Sequence, residues 1–179
     1  VQQIAGILDG AMSHDAGYEF LQMGYNLERA DMTSRIIDVR CQDLPPARAE
    51  LLKPFENILW MSVLKSLTAY QMYRRHAQAT VKRELVVRYL LIDPEFPRSL
   101  SFCLQKVEAC LKRLPSGSVS LNALRPLLKS VLAIEPEFLT HQQLHEFIDQ
   151  VQISLGRIHE ALQRCYFGER PAARMDVAA

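Results

Sequence analysis

The sequence predicts an all-α fold, an antiparallel bundle of about six helices, on three observations. Only 7 glycines occur in 179 residues, too few for the many turns of a sheet protein. Apolar residues recur at helical spacing over long stretches. Prolines and capping residues punctuate those stretches where hairpin signals would otherwise be expected. With 49% apolar and 23% charged residues, the composition is ordinary for a globular chain and sufficient for one core. Lys and Arg number 21 against 20 Asp and Glu, a net charge of +1. That balance gives no electrostatic reason for a nucleic-acid or anionic-membrane partner, and neither is expected.

Val1, Ile4, Leu8 and Met12 set a first short helix. It is in register from Val1, with no methionine and no basic-then-apolar leader before it, so the chain is expected to be a piece of a longer protein. Ser13 is expected to cap a long helix to about Cys41, with His14 and Asp15 in its first turn, and Leu44-Pro45-Pro46 to stop it. Ala47 to Lys53 reads as a short amphipathic piece, and a second long apolar helix runs from Pro54 to about Ala79. Val81 to Ile92 is a third run. Asp93-Pro94-Glu95-Phe96-Pro97 forces a break, and Pro97 suits the first position of a helix reaching Leu114. Pro115-Ser116-Gly117-Ser118 makes a turn, Leu121 to Leu132 is helical, and Thr140 caps a final helix ending near Gly168. No linker or second composition zone interrupts the chain, so one domain is expected over residues 1–168, with a frayed tail over 169–179.

The most apolar run, Leu85 to Ile92, is broken by Arg88 and falls far short of the roughly 20 residues of a membrane span. Cys41, Cys103, Cys110 and Cys165 contain no Cys-x-x-Cys pair and read as reduced core residues of a cytoplasmic protein.

The informative segment runs from Phe20 to Val39. At about 100° per residue, Met23, Leu27, Ala30, Ser34 and Ile37 line one side, and Tyr25, Met32, Ile36 and Val39 a roughly opposite one. Two polar stripes separate these faces: Gln22, Asn26, Arg29, Thr33 and Arg40 in one, and Gly24, Glu28, Asp31, Arg35 and Asp38 in the other. A helix central in a bundle would bury one stripe. The expectation here is burial of the Glu28, Asp31, Arg35, Asp38 row, which then needs cations from Arg74 or Arg75, Arg88 and Arg98, because isolated buried charges cost several kcal/mol or more. The competing reading leaves both stripes in water, with ion pairs worth ~0.2–0.5 kcal/mol. Phe55, Ile58, Leu59, Trp60, Met61, Val63, Leu64, Leu67, Tyr70 and Met72 leave almost no polar face before Arg74, as in a helix surrounded by neighbours. Its small seam of Ser62, Ser66 and Ala69, with Tyr73 one turn on, either admits a close neighbour or opens a pocket.

Met23-Gly24-Tyr25-Asn26-Leu27-Glu28-Arg29-Ala30-Asp31-Met32-Thr33-Ser34-Arg35 resembles the Gly-x-x-Leu-Glu-Arg-Ala-(Asp/Glu)-x-Thr-x-Arg signature of the bacterial alpha-E domain family. Trp60 to Tyr73 with Arg74-Arg75, and Leu90-Leu91-Ile92-Asp93 followed by Pro97-Arg98-Ser99-Leu100, are similar to two further segments of that family. Family members are usually longer and carry a similar motif near their N-terminus, so the chain resembles the second, C-terminal half of such a domain. In bacterial genomes the family is typically encoded beside, or fused to, circularly permuted ATP-grasp proteins, together with transglutaminase-like and proteasome-like hydrolases. The resemblance therefore implies a peptide-ligation or peptide-processing system. The positions matching by motif are Gly24, Glu28, Arg29, Asp31, Arg35, Asp93, Arg98 and Ser99.

Three functions stay open. The first is a non-catalytic helical binding or scaffold module partnering an ATP-grasp peptide ligase, with Glu28, Asp31, Arg35, Asp38 and Arg98 forming its polar centre. The second is an enzyme or a binder of a small molecule or peptide carboxylate, its pocket among Glu28, Arg35, Tyr73 and Arg98, with Arg74, Asp93 and Ser99 close by. The third is a structural domain that pairs with a second copy of itself. Pro97-Arg98-Ser99 at a helix start could hold an anion through free N–H groups, or could hold the protein's own Glu28 or Asp31. The chain contains no phosphate-binding glycine loop, nucleophile elbow or Cys/His pairing, and no catalytic residue or cofactor is assigned. His141-x-x-x-His145 with Asp149 has metal-ligand spacing, but Leu144, Ile148 and Val151 mark the buried stripe of that helix. The histidines therefore read as a solvated flank, and no metal is assigned.

Overall fold

In a computed structural model, which describes residues 2–41, 53–77 and 80–168, eight α-helices and no strand occur among the described residues. They are α1 (Gln2–Ala11), α2 (Ala16–Cys41), α3 (Glu56–Ser66), α4 (Tyr70–Ala77), α5 (Arg83–Ile92), α6 (Leu100–Arg113), α7 (Ser118–Leu132) and α8 (His141–Leu162). The expected piece at Ala47 to Lys53 and the expected tail at 169–179 fall largely or wholly outside the described residues. Two helix starts differ from expectation. Asp15, not Ser13, caps α2, its Oδ1 accepting from the Tyr18 N–H at 3.2 Å. Ser99, not Pro97, sets the start of α6, its Oγ accepting from the Phe102 N–H at 3.0 Å. In both cases the side-chain acceptor nearest the first free N–H groups wins. Thr140 caps α8 as expected, with Gln143 completing a reciprocal capping box.

The expected continuous helix from Pro54 to Ala79 is two helices. The N–H groups of Thr68 and Ala69 turn back to Lys65 O (2.9 Å) and Leu64 O (2.7 Å), which is a Schellman closure. Its left-handed position is held by Thr68, with φ 53°, where a branched residue is strained and glycine is the usual occupant. The break keeps Leu64, Leu67, Ala69 and Tyr73 all at 0% exposure, which a straight rod through these positions would not do. It also leaves Phe55, Ile58 and Met72 exposed, so this segment is not enclosed by neighbours. Ser62 and Ser66 are exposed, so their seam receives no close helix among the described residues.

Helix α2 lies chiefly against α6 and α8, while α7 packs on both α6 and α8. Helix α5 bridges α3 to α6. The core is one contiguous cluster whose largest fully buried members include Trp60, Tyr73, Leu90, Leu104 and Leu124. Glu19, buried on α2, meets Arg113 of α6 at 2.7 Å and ties the two helices. Burial alone would raise its carboxyl, but hydrogen bonds from the Arg113 guanidinium and Cys110 outweigh that and hold it below the ordinary carboxylate range. Cys41, Cys103 and Cys110 are buried as expected, but Cys165 is only half-buried, beyond the end of α8. No helix among the described residues is long and apolar enough to cross a membrane.

The left-handed threonine yields a direct test. Thr68→Gly is expected to leave stability unchanged or raise it by up to ~1 kcal/mol in urea unfolding, relief of strain offsetting the added freedom of the unfolded chain. An uninterrupted helix at this position would instead lose roughly a few tenths of a kcal/mol.

Candidate functional site

The buried side of α2 is Met23, Asn26, Ala30, Thr33, Ser34 and Ile37. The polar stripe that goes inward is therefore the one holding Asn26, Arg29 and Thr33, and the expected burial of the other row is overturned. Gly24, Glu28 and Arg35 are exposed, and Asp31 and Asp38 half-buried. Asp31 and Arg35 pair within the helix at 2.7 Å in a largely exposed contact. Glu28 has no hydrogen bond or ion pair among the described residues. Asp38 turns to His145 of α8 at 2.6 Å and does not pair with Arg35. The physical reason is the charge count. The Glu28 row carries four formal charges; the Asn26 row carries two amides, a hydroxyl and two half-buried guanidinium groups, so with half the formal charge it costs less to desolvate. The opposite apolar face of α2 stays open, with Met32 52% and Val39 70% exposed.

The inward stripe meets the turn between α5 and α6. Thr33 Oγ1 donates to Arg98 O at 2.9 Å, and the Arg29 guanidinium donates to Pro97 O at 3.3 Å while stacking over the Tyr25 ring at 3.9 Å and donating to the Tyr25 hydroxyl. Within the turn, Asp93 Oδ1 accepts the N–H groups of Glu95 (2.9 Å) and Phe96 (2.7 Å), and Ser99 Oγ donates to Asp93 O. The start of α6 is thus satisfied by Asp93 and Ser99, not by Glu28 or Asp31. Arg98 contributes its carbonyl to this contact with α2.

Asp93 also faces outward. Its Oδ2 lies 3.4 Å from His76 Nε2 of α4, beside a cleft of about 400 Å³ between α4 and α5 walled by Tyr73, Leu85, Tyr89 and Ile92, with Arg88 at its mouth. A second hollow of about 490 Å³ continues past His76 toward Arg75 and Phe96. Tyr89 joins the two, stacked on Phe96 at 4.6 Å and edge-on to Tyr73 at 5.4 Å. Arg88 is held by Glu137 at 2.7 Å. Neither hollow is lined by Glu28, Arg35 or Arg98, so among the described residues these hollows do not bring together the set expected at Glu28, Arg35, Tyr73 and Arg98. Tyr73 and Asp93 do come together, and Arg74 points to solvent.

Sequence reasoning overlooked the clamping role of Thr33, and His76 and Tyr89 altogether. The small charge of the Asn26 stripe was a legible signal for the first; nothing in spacing marks the other two. Burial pushes the phenols of Tyr73 and Tyr89 up and the thiols of Cys41 and Cys103 to about 12 and of Cys110 to about 11. At neutral pH these groups stay protonated and weakly nucleophilic.

Residues 1–167 match the model of a family described as a predicted alpha-helical domain with a conserved ER motif. The chain is also 25% identical over 117 residues to uncharacterized proteins of Mycobacterium tuberculosis and Mycobacterium bovis, the match covering 65% of this chain and 13% of each relative. No solved structure matches the chain. Within the matched span Glu28-Arg29 is the one Glu-Arg dipeptide.

The clamp predicts a sharp contrast between two polar residues. Ser99→Ala, which removes both a cap and a fully buried bond, is expected to cost about 1–3 kcal/mol in urea unfolding. Glu28→Gln should stay within about 0.5 kcal/mol; equal losses at the two positions would refute the inward orientation of the Arg29 stripe.

Proposed function

The chain belongs to the Alpha-E family, and from that premise we propose that it is a non-catalytic binding or scaffold module that docks an ATP-grasp amide ligase in cytoplasmic bacterial peptide synthesis or processing. The carrying observation is the division of labour within the ER motif. Arg29 has an internal task, holding the α5–α6 turn. Glu28 has none: it is exposed and without a partner among the described residues. A surface acid kept beside a structural arginine is accounted for by an external contact. Its neighbourhood suits a protein partner, since exposed Met32 and Val39 lie on the same helix as the Asp31–Arg35 pair, an apolar patch beside charge. The ligase itself is implied by the family resemblance. Protonated phenols and thiols favour binding over covalent catalysis.

The cleft between α4 and α5 favours a second reading, capture of a peptide carboxylate. Its aromatic and aliphatic walls would take a side chain, while Arg88 and His76 at the rim would take the carboxylate.

Co-purification of the chain with an ATP-grasp protein of the same genome, at low salt, tests the first reading. The complex is expected with the natural sequence and is expected to be lost in Glu28→Lys, whose thermal unfolding should be unchanged. No complex at low salt, or a complex indifferent to Glu28→Lys, refutes it. If the complex forms regardless of Glu28 but is lost in Arg88→Ala, the cleft is the contact.

A further inference from the structure

A third hollow lies where α1, α2 and α6 meet, and neither the docking face nor the α4–α5 cleft uses it. Its volume is about 320 Å³; Tyr25, Asn26 and Arg29 of α2 and Phe102 and Lys106 of α6 wall one end, and Asp9 of α1 with Tyr18 closes the other. Tyr18 and Arg29 are about three turns apart on α2, roughly 16 Å, so the hollow is an elongated groove whose two ends differ in chemistry.

At the Arg29 end two cations lack a carboxylate among the described residues. Arg29 gives one donor to Pro97 O and one to the Tyr25 hydroxyl, and the rest of its five N–H groups stay unspent. Lys106 is exposed and makes no ion pair; its ammonium rests over the Phe102 ring, 5.3 Å from the centroid. In the same wall Asn26 is only 3% exposed. Its Nδ2 donates to Gln22 O at 2.7 Å, which fixes the orientation of the amide, and its buried Oδ1 receives no donor. Buried acceptors are almost always answered, so this one marks a missing N–H. The far end is different. There Arg113 is already taken up by Glu19, and the Asp9 carboxylate, which accepts from the Tyr18 hydroxyl, repels anions.

We propose that this groove binds a small organic carboxylate with an N–H donor on the adjacent carbon, the chemistry shared by a free α-amino acid and the C-terminal residue of a peptide. The carboxylate sits at Arg29 and Lys106, where a guanidinium fork and an ammonium give charge-assisted hydrogen bonds. The N–H answers Asn26 Oδ1. Tyr25, Pro97 and Phe102 take an apolar side chain. A carboxylate alone would satisfy the cations and leave the amide oxygen empty, so the N–H is the part of the ligand that Asn26 selects. Arg29 thus serves twice, holding the α5–α6 turn with two donors and offering the others to the groove.

Calorimetric titration of the 179-residue chain with phenylalanine, N-acetylphenylalanine and 3-phenylpropanoate tests the site, because the three share a ring and a carboxylate and only the first two carry the N–H. At least one of those two should bind about 10-fold more tightly than 3-phenylpropanoate. Tighter binding of phenylalanine assigns the source to free amino acids, and tighter binding of N-acetylphenylalanine assigns it to the end of a peptide. Lys106→Ala should weaken binding by about 10-fold, whereas Lys112→Ala, whose ammonium pairs with Glu108 at 3.1 Å, should not change it. Asn26→Ala should erase the preference over 3-phenylpropanoate; circular dichroism checks its folding, and the exposed Lys106→Ala keeps the test decisive if Asn26→Ala unfolds. The proposal is overturned if neither N–H compound binds more tightly than about 1 mM, if 3-phenylpropanoate binds as well as both, or if binding ignores Lys106→Ala. Binding lost in Arg88→Ala but kept in Lys106→Ala also overturns it, and leaves the α4–α5 cleft as the carboxylate site.

Discussion

The turn from Asp93 to Ser99 breaks the chain between two buried helices, and its exposed amide and carbonyl groups have to be answered before anything can pack over them. Asp93 takes two N–H groups, Ser99 caps α6 and bonds back to Asp93 O, and α2 reaches across with Thr33 and Arg29 to take the carbonyls of Arg98 and Pro97. Each bond is individually modest, but a buried backbone group left unpaired costs about 1–3 kcal/mol. Together these contacts lock the rotation of α2 about its axis: the Asn26, Arg29, Thr33 stripe must face the turn.

That rotation determines what the surface offers. With Arg29 turned in, Glu28 is turned out, and Asp31 and Arg35 are free to make only an exposed pair. Asp38, near the far end of α2, comes to lie against α8, where His145 meets it. The same turn that receives α2 on one side presents Asp93 to His76 on the other, at the edge of the aromatic cleft. Glu28, the cleft and the Asp38–His145 pair therefore all take their positions from one loop.

The break at Thr68 has a comparable effect on a smaller scale. Ending α3 there lets Ala69 and Tyr73 turn into the core, and Tyr73 becomes a wall of the cleft. A strained threonine is tolerated because the burial of Leu64, Leu67 and Tyr73 on either side is worth more than the strain: each large apolar side chain contributes about 1.5–3 kcal/mol.

Local chemistry was enough to determine that this chain is helical, that α2 ends near Cys41, that Thr140 starts α8, and that Asp93 to Ser99 is a break, because periodicity, capping and proline act over a few residues. It also supplied the family likeness and the Glu28-Arg29 pair, but not His76 or Tyr89 at the cleft. It did not determine which of the two polar stripes of α2 is inside. Both have the same angular spacing, and the choice rests on what the distant α5–α6 turn needs, a contact of 65 and 68 residues in sequence separation. The pairing of Asp38 with His145 and of Asp93 with His76 arises in the same way, from helix packing that brings together side chains no local pattern connects.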